Sequence, residues 1–349
     1  MSSNKAIIVQ KLGLAQVVDA PLPKLRDNYI LIEVRAIALN PADWKHIDYL
    51  SLPGNWCGLD YAGVVVEVGS AVTKPFKKGD KICGACHGGN TVYLEDGSFA
   101  KYITAIGDCQ IHIPSNLTFE QASTLGAGMI TISQALYKWL QLPLPPAIVS
   151  PSFPILIYGG ASATGVLAIQ YAKLSGCKPI IATAAPSNSE FLKERGADYV
   201  FDYHNAESCV QEIREVTGDS LTRVLDCIGV EEICFPAMST SIDGVYCTVS
   251  DRPPGEITNP KIRRERVEGY TACGEPFEMM GHRVEINAHD YELGKTFNEI
   301  NKKLIEDGKI KTDKISINEG GAGLEGALVG MQLMRAGKVS GRKLVYTID

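Results

Sequence analysis

The sequence has no apolar run that approaches the roughly 20 residues of a membrane-spanning helix. It also lacks a basic excess, because 34 Lys and Arg residues stand against 40 Asp and Glu residues and give a net charge of −6. Proteins that bind nucleic acid or anionic membranes mainly through charge need a basic face. The first residues, MSSNKAIIVQKL, do not show the cationic, apolar and small-residue succession of a signal peptide. We therefore expect a cytoplasmic protein whose partners are neither nucleic acid nor membrane.

Closely spaced cysteines are nearly absent, although the chain has ten cysteines. Most stand singly among apolar residues, as reduced and buried thiols do. The exception is CGACH, in which His87 follows Cys83 and Cys86. This spacing is also found at haem attachment and redox sites, but no second pair accompanies it. We interpret it as a coincidence and expect reduced thiols.

Positive charge is dense only in the stretch KIRRER at residues 261–266. It lies within the long polar segment RPPGEITNPKIRRERVEG. A run of this kind is more often a solvated loop or helix face than a docking patch. We adopt the interpretation as a solvated loop or helix face.

Two patterns divide the chain. Residues 1–125 hold short Val- and Ile-rich runs separated by Gly and Asp, which is typical of a β-rich domain. From Phe119, with Thr118 as the predicted N-cap, apolar residues recur at helical spacing. Residues 155–250 then alternate apolar strands with amphipathic helices, which predicts a parallel sheet covered on both faces. The strands are expected in ILIYGG, KPIIATAA, YVFDY, RVLDCIG and GVYCTVS.

The predicted fold class is therefore α/β, with a Rossmann domain, a doubly wound parallel sheet, beside a β-rich domain. The final strand, in GRKLVYTID, has no β/α partner downstream, so we expect it to rejoin the first domain. The β-rich domain would comprise residues 1–125 and 290–349, and the Rossmann domain residues 126–289.

The stretch GGASATG at residues 159–165 lies between the apolar run PILIY and the helical pattern VLAIQYAKLSG. A dinucleotide cradle needs this order of strand, glycine turn and helix, because the helix N-terminus binds the pyrophosphate. The spacing is G-x-S-x-x-G from Gly160 to Gly165, with Ser162 in place of the usual middle glycine. The alternative is a tight turn rich in small residues; the flanking strand and helix favour the cradle.

The second strand of the alternating region distinguishes the nicotinamide cofactors. A carboxylate roughly 20 residues after the glycine turn would bind a ribose hydroxyl, and it would repel the 2′-phosphate of NADPH. This strand ends IIATAAPSN, and no Asp or Glu lies between Gly165 and Glu190. Polar side chains suited to a phosphate lie nearby in this topology: Ser187, Asn188, Lys193 and Tyr203. We therefore predict NADPH.

Over essentially its whole length the chain resembles the medium-chain dehydrogenase/reductase superfamily. The motifs that carry the resemblance are GLDYAGVVVEVGSAVTKPFKKGDKI, GGASATGVLAIQYAK, ERGADYVFDY and GKVSGRKLV. Within the zinc-independent, quinone oxidoreductase-like branch, NPADWK, CGLDYAG, LPLPPA, GGASAT and CGEP are most similar to the fungal trans-acting enoyl reductases of polyketide biosynthesis. Quinone and alkenal reductases share most of these motifs. The resemblance implies that the β-rich domain is GroES-like.

Three departures from the zinc alcohol dehydrogenases of this superfamily predict that no metal is bound. Asn40 stands where those enzymes have a Cys ligand, and Leu59 and Asp60 follow Gly58 where they read Gly-His-Glu. Their third ligand, a Cys, would fall near LGAGM, where this chain has none. A catalytic zinc needs three protein ligands. The single C-x-x-C pair is also too small for their structural zinc lobe.

The resemblance also implies contacts residue by residue, each of which has an alternative explanation as part of a turn or of the core. The implied cofactor contacts are Ala42, Asp43, Trp44, Lys45, Thr131, Ala161, Ser162, Ala163, Thr164, Gly165, Ala185, Pro186, Ser187, Asn188, Lys193, Tyr203, Ile228, Ser250, Val339 and Ser340. The implied substrate contacts are Gly128, Met129, Thr131, Cys273, Gly274 and Glu275.

A chain without a metal is better suited to an activated alkene than to a carbonyl group, because carbonyl reduction leaves an alkoxide that zinc or a strong acid normally stabilises. Hydride addition to the β-carbon of an α,β-unsaturated thioester, ketone or quinone instead gives an enolate, which amides or hydroxyls can bind. The resemblance implies that the NPADWK loop borders the nicotinamide, so Lys45 is the predicted catalytic residue, as a ribose or phosphate contact or as a proton donor; the alternative is a solvated surface lysine. Tyr49, Tyr61, His46 and His112 are further candidates, of types that are more often packing or surface groups.

The leading hypothesis is an NADPH-dependent trans-acting enoyl reductase. Its substrate would be an acyl chain tethered to the acyl carrier domain of a polyketide synthase or a hybrid synthase–peptide synthetase. The alternatives are a free-standing NADPH-dependent quinone or 2-alkenal reductase and a catalytically silent NADPH-binding partner protein. We expect a monomer, because the polyketide-serving group is typically monomeric and the polar segment around residues 261–266 disturbs the sheet edge through which many relatives pair.

Overall fold

The computed structural model describes residues 4–252, 255–257, 259–279 and 281–349. It divides the chain into two compact units. The split unit is built from the chain up to Met129 and from Tyr270 onwards, and the central unit runs from Ile130 to Gly269. The sequence patterns predict the second boundary after residue 289. Residues 270–279 and 281–289 lie in the split unit because contacts tie them there, for example the hydrogen bond of 2.6 Å from the Tyr29 phenol to Glu275.

The secondary structure is named in chain order. Within the described ranges the strands are β1 (Asn4–Lys11), β2 (Leu14–Ala20), β3 (Tyr29–Ala38), β4 (Asp60–Val68), β5 (Lys81–Ala85), β6 (Tyr102–Ile106), β7 (Ile111–His112), β8 (Ile155–Tyr158), β9 (Ile180–Thr183), β10 (Tyr199–Phe201), β11 (Arg223–Asp226), β12 (Gly244–Thr248), β13 (Ile262–Arg266), β14 (Phe277–Met279), β15 (His282–Val284), β16 (Ile315–Ile317) and β17 (Lys343–Thr347). The α-helices there are α1 (Pro41–Lys45), α2 (Phe119–Ala122), α3 (Gly126–Ile132), α4 (Ala163–Leu174), α5 (Ser189–Arg195), α6 (Ala206–Thr217), α7 (Glu231–Ala237), α8 (Ala288–Glu306) and α9 (Gly323–Arg335). Short π-helical segments are His46–Leu50 and Ser133–Trp139, and short 3₁₀ segments are Gly107–Cys109, Pro186–Asn188 and Gly269–Cys273.

The split unit is built on a mixed sheet with the order β16-β17-β3-β4-β5-β7, in which β6 also pairs with β3. Along β3, Ile30, Ile32 and Val34 are fully buried and alternate with half-buried residues, as the period of two in a strand requires. The last strand, β17, pairs antiparallel with β3, so the prediction that the end of the chain rejoins the first domain is confirmed.

The central unit contains a parallel sheet with the order β10-β9-β8-β11-β12-β13. In chain order within this unit, that is third, second, first, fourth, fifth and sixth strand, the order of the doubly wound dinucleotide-binding fold. Ligands of such sheets bind beyond the carboxyl ends of the strands, where the order reverses. Here the reversal lies between β8 and β11.

The basic stretch at residues 261–266 has a different structure from the one expected. It is neither a loop nor a helix face, because Ile262–Arg266 form β13 and pair with Gly244–Thr248 of β12. Ile262 is buried, and the charged side chains of this edge strand form local ion pairs, such as that of Arg266 with Glu268 at 2.9 Å. The edge of the sheet supplies a backbone partner, which the polar sequence pattern does not reveal.

The helical pattern that starts at Phe119 is interrupted in the structure, as α2, α3 and a π-helical segment. Its predicted N-cap is confirmed: Thr118 Oγ1 accepts a hydrogen bond of 3.3 Å from the Gln121 amide, and Gln121 Oε1 accepts one of 3.1 Å from the Thr118 amide. The ten cysteines are free thiols, as expected. None of the helices in the described ranges combines the length and hydropathy that a membrane span needs.

Candidate functional site

The glycine turn of the central unit follows β8 directly. Gly159 has a positive φ of +76°, which favours glycine, and Ser162 is the N-cap of α4. Ser162 Oγ accepts a hydrogen bond of 3.1 Å from the Gly165 amide and donates one of 2.7 Å to the Gly159 carbonyl. The serine that replaces the usual middle glycine therefore closes the turn and caps the helix. The first-turn amides of such a helix have no acceptors within the helix and can bind an anion.

Close packing explains the glycines at both ends of this turn. A Cβ on Gly165 would lie 2.4 Å from the Gly159 carbonyl oxygen, so the helix can approach the turn only without a side chain. A Cβ on Gly159 would lie 2.5 Å from Cγ1 of Ile228, which follows β11. The cradle thus lies at the point where the strand order reverses. The predicted cofactor residues of the turn, which are half-buried and accessible, are Ala161, Ser162, Ala163 and Thr164.

The segment after β9 carries the residues predicted to distinguish NADPH from NADH. Ala185 is the N-cap of the 3₁₀ segment Pro186–Asn188, and the side chain of Ser187 is exposed. The acid nearest in sequence, Glu190, lies in the first turn of α5 and forms an ion pair of 3.7 Å with Lys193. Tyr203 follows β10, is 39% exposed, and has its ring centroid 6.3 Å from that of Tyr158. The carboxyl end of β9 is therefore polar without a carboxylate of its own.

Asp226 was not singled out in the sequence, yet it organises the turn after β11. This fully buried carboxylate accepts hydrogen bonds of 2.8, 2.7 and 2.6 Å from three consecutive backbone amides and one of 2.8 Å from the Tyr246 phenol. The first of these amides belongs to Ile228, a predicted cofactor contact that is 45% exposed. A local signal was available, because an acid that ends an apolar, buried strand must bind neighbouring donors.

Ser250, the other predicted contact at this edge, follows β12. It is 7% exposed, and its hydroxyl accepts a hydrogen bond of 3.2 Å from the Arg252 amide. A Cβ on Gly229 would lie 2.4 Å from Ser250 Oγ, so the segments after β11 and β12 pack directly together. The central unit therefore brings the cradle, Ile228 and Ser250 to one edge of its sheet.

In the split unit, α1 carries Ala42, Asp43, Trp44 and Lys45. Lys45 and Trp44 are half-buried, and Arg335 lies 5.9 Å from the Trp44 ring centroid. Asp43 is buried; its carboxylate accepts hydrogen bonds of 2.6 Å from the Asn40 amide and 3.0 Å from the Leu59 amide. Burial raises the pKa of the Asp43 carboxyl to about 8, although the bond from Asn40 opposes the shift. The side chain of this predicted cofactor contact therefore serves to start α1.

The predicted substrate residues of the split unit lie in two places. Gly128 and Met129 belong to α3, where Met129 is 2% exposed. Thr131 of the same helix falls within the central unit and is half-buried. Glu275 accepts hydrogen bonds of 2.6 Å from the Tyr29 phenol and 2.9 Å from the Asn28 side chain. Its carboxylate is thus engaged inside the split unit.

The neighbours of Glu275 pack in the same way. Gly274 has a φ of +74° and lies against the Tyr291 ring. Burial raises the pKa of the Cys273 thiol well above its ordinary value, and the nearby Cys109 adds to the shift. Val339 is half-buried and Ser340 exposed, in the segment between α9 and β17.

The additional candidates for proton transfer differ in their surroundings. Tyr61 is fully buried and donates a hydrogen bond of 2.9 Å to Gln110, whereas Tyr49 is 68% exposed. His112 Nε2 lies 3.0 Å from Asp80. His46 Nδ1 lies 2.9 Å from the Gly88 carbonyl oxygen.

His87, the last residue of the CGACH stretch, packs among aromatic rings. It stacks on Tyr270 with 3.5 Å between ring centroids. Burial lowers the pKa of His87 to about 3, and His46 contributes. This imidazole is therefore neutral at pH values near 7.

Family models and relatives agree on what the chain is similar to. Residues 26–115 match the model "Alcohol dehydrogenase GroES-like domain", and residues 163–250 match "Zinc-binding dehydrogenase". The trans-enoyl reductase ACTTS2 of Alternaria alternata is 41% identical, with 100% of both chains covered. The trans-enoyl reductase TOXD of Cochliobolus carbonum is 47% identical over 79% of this chain and 93% of its own.

The chain belongs to the trans-enoyl reductase family. Solved structures of other proteins share the fold of this chain. The quinone oxidoreductase of Coxiella burnetii has a TM-score of 0.74 at 25% identity, with 100% of both chains covered. A mycobacterial protein complexed with NADPH has a TM-score of 0.76 at 20% identity, covering 99% of this chain and 100% of that one. The expected α/β fold, with a GroES-like and a Rossmann-type domain, is confirmed, and the chain is an oxidoreductase.

One of the two family models is named for zinc, which needs several ligand side chains close together. In the described ranges, no group of three or more His, Cys, Asp or Glu side chains is placed to hold a metal ion. Asn40 and Asp60, at two places where zinc enzymes have ligand motifs, are hydrogen-bonded to each other at 2.8 Å. Burial raises the pKa of the Cys83 and Cys86 thiols well above the ordinary value, which disfavours the thiolate that zinc binds. These residues do not fit a zinc ion.

Proposed function

We propose that the chain is an NADPH-dependent trans-acting enoyl reductase. Its substrate is the α,β-unsaturated thioester of an acyl chain carried by the acyl carrier domain of a separate polyketide synthase or hybrid synthase–peptide synthetase. Two observations support this together: identities of 41% and 47% to proteins named trans-enoyl reductases, and a dinucleotide cradle at the strand reversal of the central unit.

The central unit would hold the cofactor. The first-turn amides of α4 and the Ser162-capped turn offer donors to a pyrophosphate, and the side chain of Ile228 lies at the same strand ends. The segment at Ala185–Asn188 offers Ser187 and no carboxylate, which suits the 2′-phosphate of NADPH. When bound, NADPH supplies the hydride.

Reduction of the conjugated double bond determines which groups the protein must provide. A hydride adds to the β-carbon, the electrons of the double bond move into an enolate on the thioester oxygen, and a proton then adds to the α-carbon. Backbone amides and hydroxyls can bind the enolate oxygen, so the reaction needs no metal. This agrees with the donor set at Asn40 and Asp60, which does not fit zinc.

Lys45 is the proposed catalytic residue, as a cofactor contact or as the proton donor. It is the last residue of α1, and the ion pair of 2.8 Å between Asp48 and Arg335 fixes the turn that follows. A Lys45→Ala variant separates the two roles. A lost contact raises the KM for NADPH, whereas a lost donor lowers kcat with little change in that KM.

The deciding experiment compares acceptors side by side. NADPH oxidation is followed with crotonyl-type thioesters of pantetheine or coenzyme A and with a panel of quinones and 2-alkenals, before and after dialysis against a chelator. The proposal expects turnover of the thioesters, weak activity on quinones, and no effect of the chelator.

The other outcomes identify the alternatives. Higher activity on quinones or 2-alkenals than on every thioester would indicate a free-standing reductase. NADPH binding without oxidation by any acceptor would indicate a catalytically silent partner protein. Either result, or stoichiometric zinc in the active protein, overturns the proposal.

A further inference from the structure

Lys343, the first residue of β17, is a buried cation in the split unit, with a side chain that is 3% exposed. Its ammonium donates hydrogen bonds of 2.5 Å to Asp60 Oδ2, 3.0 Å to Asn40 Oδ1 and 3.3 Å to the Thr124 carbonyl. A lysine ammonium has three N–H donors. Each of them therefore has an acceptor in a different segment of the chain.

Asp60, the first residue of β4, has a fully buried side chain whose two oxygens are both engaged. Oδ2 accepts the bond from Lys343 and another of 2.8 Å from Asn40 Nδ2. Oδ1 accepts a hydrogen bond of 2.6 Å from the Ala127 amide. Hydrogen bonds of this kind are what a buried ion pair needs to offset the desolvation of its charges.

The segments that this ion pair joins also carry predicted site residues. Asn40 is the N-cap of α1, the helix that ends with Lys45. Ala127 lies in α3, directly before Gly128. Lys343 follows Ser340 closely at the start of β17. Segments that are far apart in sequence are thus held by one pair of opposite charges.

We propose that the Lys343–Asp60 ion pair is a positioning device for the reaction. It fixes the start of α1, the start of α3 and the segment before β17 with respect to one another, so that the residues these segments carry meet the cofactor and the substrate in one geometry. The inference rests on the proposed function, because those residues are the ones assigned to it. Lys343 is a positioning residue, since its ammonium is fully engaged by protein acceptors.

The test uses the full chain and a pair of nearly isosteric substitutions. Lys343→Met or Asp60→Asn alone leaves one buried charge unpaired, and each is expected to lower the melting temperature strongly or to prevent folding. The double variant Lys343→Met/Asp60→Asn has no unpaired charge. It is expected to fold, with the circular dichroism spectrum of the wild type. Lys309→Met, at an exposed position of the same unit, is the matched control.

Two measurements on the double variant decide the proposal. Hydrogen exchange of the peptides around Ala127 and α1 is expected to lose at least about tenfold in protection, because the charged partners no longer hold them. With the enoyl thioester, kcat is expected to fall about 10- to 100-fold, the cost of a small misplacement of reacting groups. The KM for NADPH is expected to rise as well, because α1 and the segment before β17 carry proposed cofactor contacts.

A double variant with wild-type kcat, or with wild-type protection of these peptides, overturns the proposal. The control Lys309→Met is expected to match the wild type in every measurement. If the wild-type protein turns over no enoyl thioester, the proposed function fails instead. Hydrogen exchange alone then still decides whether the ion pair fixes these segments.

Discussion

The phenol of Tyr246 donates a hydrogen bond of 2.8 Å to the carboxylate of Asp226, and both side chains are fully buried in the central unit. The same carboxylate holds the amides of Ile228, Gly229 and Val230. Together with the Cys234 thiol, 3.8 Å from Asp226 Oδ2, these donors fix the turn that adjoins the end of β11. This turn faces the glycine cradle, since Ile228 packs against Gly159.

Removing the Tyr246 hydroxyl tests how much this network contributes. Tyr246→Phe keeps the edge contact with the Phe235 ring at 4.9 Å between centroids and removes one hydrogen bond to the buried side chain of Asp226. We expect the free energy of unfolding to fall by about 1.5–3 kcal/mol. Asp226→Ala is expected to cost more, because it leaves three amides without their acceptor, and to weaken NADPH binding as well. Urea denaturation and NADPH fluorescence titration measure both effects; two variants of equal, wild-type stability would contradict this account.

The close packing in the cradle predicts that one added methyl group, in Gly165→Ala, weakens cofactor binding. Gly165→Ala places a Cβ where the Gly159 carbonyl oxygen is only 2.4 Å away, so α4 must move from the turn. We expect the affinity for NADPH to fall at least about tenfold, because the helix N-terminus loses its place at the pyrophosphate. Gly294→Ala is the matched control. Gly294 lies inside α8, and a Cβ there would be 3.4 Å from the Cβ of Ala272, which is an ordinary contact distance. That change is expected to leave NADPH binding unaltered and to stabilise the chain by roughly 0.5–1 kcal/mol.

Cofactor preference is expected to change with one carboxylate after β9. Ala185→Asp introduces the acid that this chain lacks there, which repels a 2′-phosphate and can bind a ribose hydroxyl. We expect the KM for NADPH to rise by at least about tenfold and the KM for NADH to fall. Ala206→Asp makes the same substitution at an exposed position of the first turn of α6 and is expected to change neither value. An unaltered ratio of the two KM values in Ala185→Asp would show that this segment does not bind the 2′ position.

The lowered pKa of His87 predicts that the folded protein loses stability in mild acid. Burial lowers its pKa from 6.5 to about 3, so below pH 6.5 the unfolded chain binds a proton that the folded chain does not. Stability is therefore lost as the pH falls through this window, by at most about 1.4 kcal/mol for each pH unit. His87→Phe keeps a ring to stack on Tyr270 and does not titrate.

The corresponding measurement is the free energy of unfolding at two pH values. Between about pH 8 and about pH 5, the wild type is expected to lose up to about 2 kcal/mol more than His87→Phe. His289→Gln, whose histidine side chain is 75% exposed, is the control and is expected to follow the wild type. Parallel losses in the wild type and His87→Phe would mean that His87 titrates normally in the folded protein.

Local patterns predicted much of the central unit. The strands expected from apolar runs contain β8 to β12, and helices alternate with them as expected, because period and burial leave a direct trace in the sequence. Thr118 was identified as an N-cap by the same kind of local signal. Ser162 was treated as an imperfect glycine, although a serine before a helix is also an N-cap signal, and that is its role here.

Contacts over long sequence distances could not be predicted in this way. Lys343 and Asp60 are 283 residues apart, and nothing near either residue indicates the other. β13 carries Arg263, Arg264 and Arg266 and lacks an apolar pattern, so it becomes a strand only because β12 offers a free edge. Such features depend on which segments the fold brings together.

The charged edge strand β13 of the six-stranded sheet has a consequence for the oligomeric state. A second molecule aligned along β13 would have to desolvate the ion-paired side chains of Arg263, Arg264 and Arg266, and charged side chains on an edge strand oppose such pairing. We therefore expect sedimentation to give the mass of one chain, 37.7 kDa, and NADPH titration to saturate at one cofactor per particle. Under the proposed function, each carrier-bound acyl chain would then meet a single reductase chain with one cofactor site.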